Sequence, residues 1–442
     1  MAGPCTHFAA RNALPIAVAL FLCAIAGRPP AARAQGQQDQ QVKQEKQGRT
    51  ASPPPYDSIA ANSVGYDGPG RGPAYDLPGT IIHIGLLAPL HGPHQAEGAA
   101  MAAAAQMALH DAGQRPLSGG RRVALALGDE SGPAWGHVSE ELLRLVADEQ
   151  AVAVVTSASG DVAHLSEQVG NRIGVPVLTL SSDATTTQID IPWIFRLGPG
   201  DAQQAQAMAQ EIYRKRDRSP VLLVTEDDHD GRVGAEAVRK AAEKLGAPAP
   251  DMLVLNALQP DFGPVLARLQ ARPSQALILW TQPETVGGLL TAIGKGDART
   301  PIYLSQKAAQ SGSGLVPAPF DTADKVDTAG LWTTASDGED AAAWKAFARR
   351  YQQTTGNVPS PVAARTYDAI TLVVRALRTA GPNRARVRDQ IARTRDFPGV
   401  AGAISFDNEG NDRTGVHLVR MVRMVRKEKG PVRALPVKKE GK

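Results

Sequence analysis

The sequence predicts an α/β protein made of two doubly wound parallel-sheet domains, and three observations carry that expectation. Residues 152–183 read VAVVTSASGDVAHLSEQVGNRIGVPVLTLSSD. Two short apolar runs there flank Val162, Leu165, Val169 and Ile173 at helical spacing. That is the pattern of a βαβ unit whose strands are buried on both faces. The alternation of strand and helix patterns runs from residue 81 to 199 and then restarts at Asp201, as two parallel α/β domains require. The chain has 442 residues, 43% hydrophobic and 21% charged, enough for two domains of ordinary size.

Taken in order, the first strand covers residues 81–90 (IIHIGLLAPL) and runs into His91-Gly-Pro-His94. An Ala-rich helix follows at 96–112, then a strand at 123–127 ending in Asp129 and Glu130, and helical spacing at 137–147. After the βαβ unit, residues 193–199 read as a strand entering a crossing between domains. From Asp201 come a helix, a strand at 221–225, a helix at 231–245, a strand at 253–255 and a helix at 262–269. A strand at 276–281, a helix at 284–293 and a strand at 302–305 complete that rhythm. Residues 329–333 look like a second crossing, followed by helices at 341–352, 362–380 and 384–394 and a final strand at 416–422. The expected first domain is 80–199 with 333–400, and the second is 200–332 with 401–425. The tail 426–442 is basic and expected to fray.

The ends lie outside this scheme. Arg11, an apolar stretch over 13–26 and the small-residue site Ala32-Arg33-Ala34 form a secretory signal pattern, too short to span a membrane comfortably. Cleavage after Ala34 is expected rather than lipidation of Cys23, because Leu20-Phe21-Leu22 is bulky. Cleavage removes Cys5 and Cys23, hence every disulfide or thiolate site. It also removes three arginines and no acidic residue, so the net charge of +4 falls to +1. Nucleic-acid binding is not expected of such a chain; an exported, soluble and nearly neutral protein is. Residues 35–79, first Gln/Lys-rich and then rich in Pro, Gly and Tyr, are expected to be a disordered linker.

Ligands of doubly wound sheets bind beyond the carboxyl ends of the strands. Those ends carry Thr156, Ser157, Ser159 and Gly160 after one strand of the βαβ unit, and Ser181, Ser182 and Asp183 after the other. Small hydroxyls beside helix N-terminal N–H groups can cradle a carboxylate. They can equally cap the helices that follow, and both roles can coexist. No H-E-x-x-H, G-x-S-x-G or phosphate-loop signature occurs. His91 and His94 lack a nearby ligand partner in sequence, and residues 407–412 (DNEGND) lack the closing Glu of a calcium loop. No catalytic residue, metal or cofactor is expected.

The ordered set of segments resembles the leucine/isoleucine/valine-binding (type I) periplasmic binding proteins that serve ABC importers. The matching segments are IGLLAPLHGP from Ile84, GVPVLTLSSDAT from Gly174, FRLGPGDAQQAQAMA from Phe195, and LLVTEDDHDGRVGAEAVRKAAEKLG from Leu222. DFGPVLARLQ from Asp261, YDAITLVVRAL from Tyr367 and GAISFDNEGND from Gly402 complete it. The resemblance implies two domains joined by three hinge crossings, a small-molecule ligand clamped between them, and a membrane permease as partner. It places a ligand carboxylate on residues 157–160 and 181–183, with Ser159 and Ser182 foremost. Asp183 would repel a carboxylate if it pointed inward. In the second domain Asp230 stands where the family commonly has a tyrosine. Ser305-Gln306-Lys307 stands where the family has the acidic receiver of an amino group, so Lys307 or Gln306 would face the ligand, and a lysine there would favour an anionic or carbonyl-bearing ligand. Thr281, beside Trp280 and Gln282, ends a strand on the cleft side. The function implied is capture of a small polar solute (amino-acid-like, or a small carboxylate or amide) by hinge closure. The alternative is an exported interaction or sensor module with a degenerate cleft.

Overall fold

The computed structural model describes residues 65–113, 117–188, 191–214, 220–294, 300–310, 315–317, 325–326, 331–337 and 342–424. The expected signal peptide, most of the linker and the basic tail lie outside these residues. The first lobe is a five-stranded parallel sheet. Its strands are β1 (Ile81–Ala88), β2 (Arg122–Asp129), β3 (Val154–Thr156), β4 (Val177–Thr179) and β5 (Ile194–Arg196), in the order β2-β1-β3-β4-β5. The helices α1 (Gln95–Gly113), α2 (Ser139–Leu143) and α3 (Gly160–Ile173) connect them. The spacing that predicted α3 is its buried face, with Val162 and Leu165 inside. Gly174 closes it in the left-handed region at φ 75°, where a side chain would be strained. Helical spacing over 137–147 yields only α2, flanked by wider turns at Ala134–Val138 and Arg144–Asp148.

The second lobe contains α4 (Asp201–Tyr213), β6 (Val221–Glu226), α5 (His229–Lys244), β7 (Asp251–Leu255), α6 (Gly263–Ala271), β8 (Ala276–Trp280), α7 (Pro283–Ile293) and β9 (Ile302–Leu304). Short strands β10 (Leu315–Pro317) and β11 (Lys325–Val326) follow, then β12 (Leu331–Ser336). Parallel pairing links β7-β6-β8-β9-β12. The last strand, β15 (Val416–Met424), joins β12 antiparallel. Between β12 and β15 the chain returns to the first lobe as α8 (Ala342–Thr355), α9 (Pro361–Ala380), α10 (Arg384–Ala392), β13 (Phe397–Gly399) and β14 (Gly402–Ile404). Val362, Ile370, Val373, Leu377, Ile404 and Phe406 pack in one core with Ile84, Leu86 and Phe195.

Two expected boundaries therefore move. The switch placed at 333 comes after β12, because Leu331–Ser336 is hydrogen-bonded into the second sheet on both sides. The switch placed at 401 comes after Phe406, because the apolar side chains of β14 serve the first core. The chain passes between lobes three times, around 197–200, between β12 and α8, and around 407–415. Two of these crossings are knotted together: Arg196 Nε donates to Asn411 Oδ1 at 3.0 Å, and Gly198 N to Asp412 Oδ2 at 3.2 Å.

Part of the expected linker is ordered. Residues 65–79 lie on the first lobe, with Tyr66 edge-on to Trp193 at 4.8 Å between ring centroids. Arg71 pairs with Asp389 at 2.6 Å, Arg386 with Asp76 at 2.7 Å, and Asn383 Nδ2 donates to Gly70 O at 2.9 Å. The polar composition that suggested disorder is here spent on paired charges along α10. No helix among the described residues is long and apolar enough to cross a membrane.

Three carboxyls with raised pKa values contribute to the pH response of the fold. Burial pushes Asp201 and Asp368 up to about 7 and Glu130 up to about 8. All three lie above their ordinary values of 3.8 and 4.5. The native state thus binds more protons than the unfolded chain between those values, and stability falls as pH rises through that window. We expect the melting temperature, measured by scanning fluorimetry in chelator, to fall by roughly 5 °C between pH 5 and 8.5, about 2 kcal/mol. Asp368→Asn should flatten the slope; an unchanged slope would remove Asp368 from the account.

Candidate functional site

The carboxyl ends of six parallel strands converge on a cavity of about 260 Å³. From the first lobe it is walled by His91, His94 and Glu97 after β1, Glu130 after β2, and Ser157, Ser159 and Asp161 after β3. From the second lobe come Asp228, His229 and Asp230 after β6, Gln282 after β8 and Lys307 after β9. Each wall stands at a strand end because the right-handed crossover turns there, leaving helix N-termini aimed inward.

Ser157 and Ser159 of the predicted cradle line the cavity, and Ser159 also caps α3. Ser159 Oγ accepts from Val162 N at 3.4 Å, and Ser157 Oγ from Ser159 N at 3.1 Å. What lies in the cradle is a carboxylate of the chain itself. Gly160 N donates to Asp230 Oδ1 at 3.1 Å, so the first N–H of α3 is filled from the opposite lobe. A Cβ there would stand 2.4 Å from that oxygen, so a larger residue at 160 would push the Asp230 carboxylate aside. The other oxygen of Asp230 accepts from Lys307, whose side chain is only 16% exposed. Burial would lower the Lys307 ammonium, but the charge and hydrogen bond of Asp230, with Asp228 and Glu97 nearby, hold it well above its usual range.

Of the nine predicted ligand residues, Ser157, Ser159, Asp230 and Lys307 line the cavity and Gly160 meets it through Asp230. Ser181, Ser182, Asp183 and Thr281 do not line it. Ser181 Oγ accepts from Asp183 N at 3.2 Å, and Ser182 O accepts from Asp201 N at 3.0 Å. Thr281 is 4% exposed, and Trp280 beside it is core, packed against Gly234. Asp183 does point inward, but it is engaged by His229 Nε2 at 2.7 Å and His164 Nε2 at 3.0 Å. Burial would raise Asp183, yet these contacts and Thr185 hold it well below the carboxylate range.

Sequence reasoning missed Glu97, Glu130, Asp228 and His229, and placed Gln282 on the cleft side only as a neighbour of Thr281. Glu130 follows a predicted strand, so the strand-end rule that found Ser157 could have found it. Glu97 lies inside an Ala-rich helix and gives no such signal. It is buried, and burial raises its pKa against the pull of Lys307 and His94. Glu130 Oε2 has no hydrogen-bond partner among the described residues. Across the mouth, His94 Nδ1 lies 3.3 Å from Glu284, whose hydrogen bond raises the imidazole pKa. The lobes are thus held together by Asp230, His229 and Glu284.

Two parallel sheets, three crossings and a cleft between strand ends agree with a match to the periplasmic binding protein model over residues 81–430. The chain belongs to the periplasmic binding protein family. The fold of this periplasmic binding protein is similar to that of the branched-chain amino acid transporter substrate-binding protein LivJ from Streptococcus pneumoniae, solved with isoleucine. That likeness has a TM-score of 0.66 at 22% identity, covering 78% of this chain and 99% of that one. The leucine-binding protein LivK from Thermotoga maritima gives 0.65 at 19%, covering 76% and 94%. A solute-binding protein of an ABC transporter from Rhodopseudomonas palustris, solved with 3,4-dihydroxybenzoic acid, gives 0.66 at 18%, covering 80% and 95%. No curated protein matches the sequence.

Proposed function

We propose that this chain is the exported, monomeric solute receptor of an ABC importer, closing on a small polar solute and presenting it to the permease. The observation that carries this reading is the cavity walled by polar groups of both lobes. A ligand that touches both walls favours closure by its differential affinity for the closed state. Among amino-acid-like, carboxylate and amide solutes, the lining favours one that offers nitrogen donors. Lys307 is neutralised by Asp230, whereas Glu97 and the unpartnered oxygen of Glu130 face the cavity. The neighbours solved with isoleucine and with a hydroxylated benzoic acid support a small organic ligand.

One observation favours a second reading. The chain fills its own anion cradle, as an interaction or sensor module with a degenerate cleft could do permanently. The test is a thermal-shift screen of the folded protein against amino acids, amines, amides, small carboxylates and sugars. A ligand at about 100 times its Kd stabilises by roughly 2.7 kcal/mol. We expect a shift with a nitrogen-bearing class that is lost in Glu130→Gln and in Ser157→Ala with Ser159→Ala. No shift with any class would sink the receptor reading in favour of the module.

A further inference from the structure

Three side chains distant in sequence meet at the rim of the cleft. His164 comes from α3, Asp183 from the turn after β4, and His229 from the first turn of α5 in the other lobe. Their donor atoms all lie within 4.8 Å of one another. Both imidazoles turn Nε2 to the same oxygen, Asp183 Oδ2, at 3.0 and 2.7 Å. The rings stand edge to face at 5.2 Å between centroids.

The atoms behind these ligands are arranged as a metal site needs. A ligating histidine usually gives its second ring nitrogen to a carboxylate, which fixes its orientation and raises its basicity. His164 Nδ1 lies 3.5 Å from Glu167 Oε1. Glu167 is 1% exposed and its other oxygen has no partner among the described residues. The Asp183 carboxylate is fixed too, since Oδ1 accepts from Thr185 N at 2.8 Å and Thr185 Oγ1 at 2.7 Å. That leaves Oδ2 alone to face the two rings. Thr185 Oγ1 also lies 3.0 Å from His164 Nε2.

We infer that His164, Asp183 and His229 form a site for a borderline divalent cation such as Zn²⁺, which would lock the two lobes in the closed state. Two imidazole nitrogens and one carboxylate oxygen are a donor set suited to zinc, with the fourth position left to water. A tetrahedral ion with bonds of about 2.0–2.1 Å sets its donors about 3.4 Å apart. The two nitrogen–oxygen contacts, at 3.0 and 2.7 Å, need to open by about 0.4 and 0.7 Å, while the two imidazole nitrogens, within 4.8 Å of each other, draw in toward that spacing. Two ligands, His164 and Asp183, come from the first lobe and one, His229, from the second, so an ion held by all three acts as a latch and binds the open form less well.

The test is titration of the chelator-stripped protein with Zn²⁺ by calorimetry, and with Co²⁺ by absorption. We expect one ion per chain with a Kd at or below the micromolar range, and a visible Co²⁺ spectrum of four-coordinate intensity. His164→Ala and His229→Ala should each weaken binding at least 30-fold, and Glu167→Gln about tenfold. Small-angle scattering should show Zn²⁺ reducing the radius of gyration of the native protein but not of His229→Ala. Should a histidine variant fail to fold, the Co²⁺ spectrum of the native chain still decides, because its absence overturns the site. Zinc binding that survives both histidine changes, for instance on the exposed His91 with Asp129, overturns it equally.

Discussion

Asp230→Ala lowers the melting temperature by roughly 10 °C, the expected cost of stranding Lys307. Removing one partner of a buried ion pair costs about 3–5 kcal/mol, because the remaining charge stays desolvated. Asp228 and Glu97 still face the ammonium, which places the loss near the lower end of that range. At about 2–4 °C per kcal/mol for a protein of this size, the shift is large enough for scanning fluorimetry. Lys307→Met in the same background should recover much of it, since an unbranched apolar chain fills the space without a charge. The coupling energy of that double-mutant cycle measures the pair. A loss below about 1 kcal/mol in the single variant, the range of exposed pairs, would mean that water reaches Lys307.

The second large effect is steric. Gly98 lies in the first turn of α1, where a Cβ would stand 1.9 Å from the backbone oxygen of Pro89. A backbone oxygen cannot swing aside as a side chain does, so Gly98→Ala must displace the turn that carries His91 and His94. Overpacking of this kind costs about 1–3 kcal/mol and sometimes more; we expect about 3. Gly113, at the other end of α1, has nothing within 4 Å of its would-be Cβ. Gly113→Ala should be neutral or stabilising by up to about 1 kcal/mol. Equal melting temperatures for the two variants would show that the close approach at Pro89 has been misjudged.

The sequence announced the fold and one wall of the site for a simple reason. Strand–helix alternation is a local pattern, and strand ends are where such sheets hold ligands, so Ser157 and Ser159 could be found by position alone. What it concealed depends on distance. Asp230 reads locally as a substituted tyrosine position, and only the fold shows its carboxylate reaching Gly160, seventy residues away. His164 and His229 sit on separate helices of separate lobes, with no spacing to connect them. Lys307 was foreseen as a cleft residue, but its charge is balanced by a partner the sequence could not supply. The ordering of residues 65–79 was hidden because polar composition was read as a failure to bury apolar area. Their anchors are instead ion pairs with Asp389 and Arg386.

The carboxylate of Asp230 in the cradle has a consequence for selectivity. It is tethered, so its effective concentration at Gly160 N is on the order of millimolar or more. A free carboxylate competes against that reservoir, and its apparent Kd rises in inverse proportion to the time the cradle stands vacant. If Asp230 leaves only about one part in a hundred of the time, a dissolved acid binds about a hundredfold more weakly than the bare cradle would allow. A solute recognised through Glu97 and Glu130 bears no such handicap. The tether thereby acts as a threshold that common small anions do not pass.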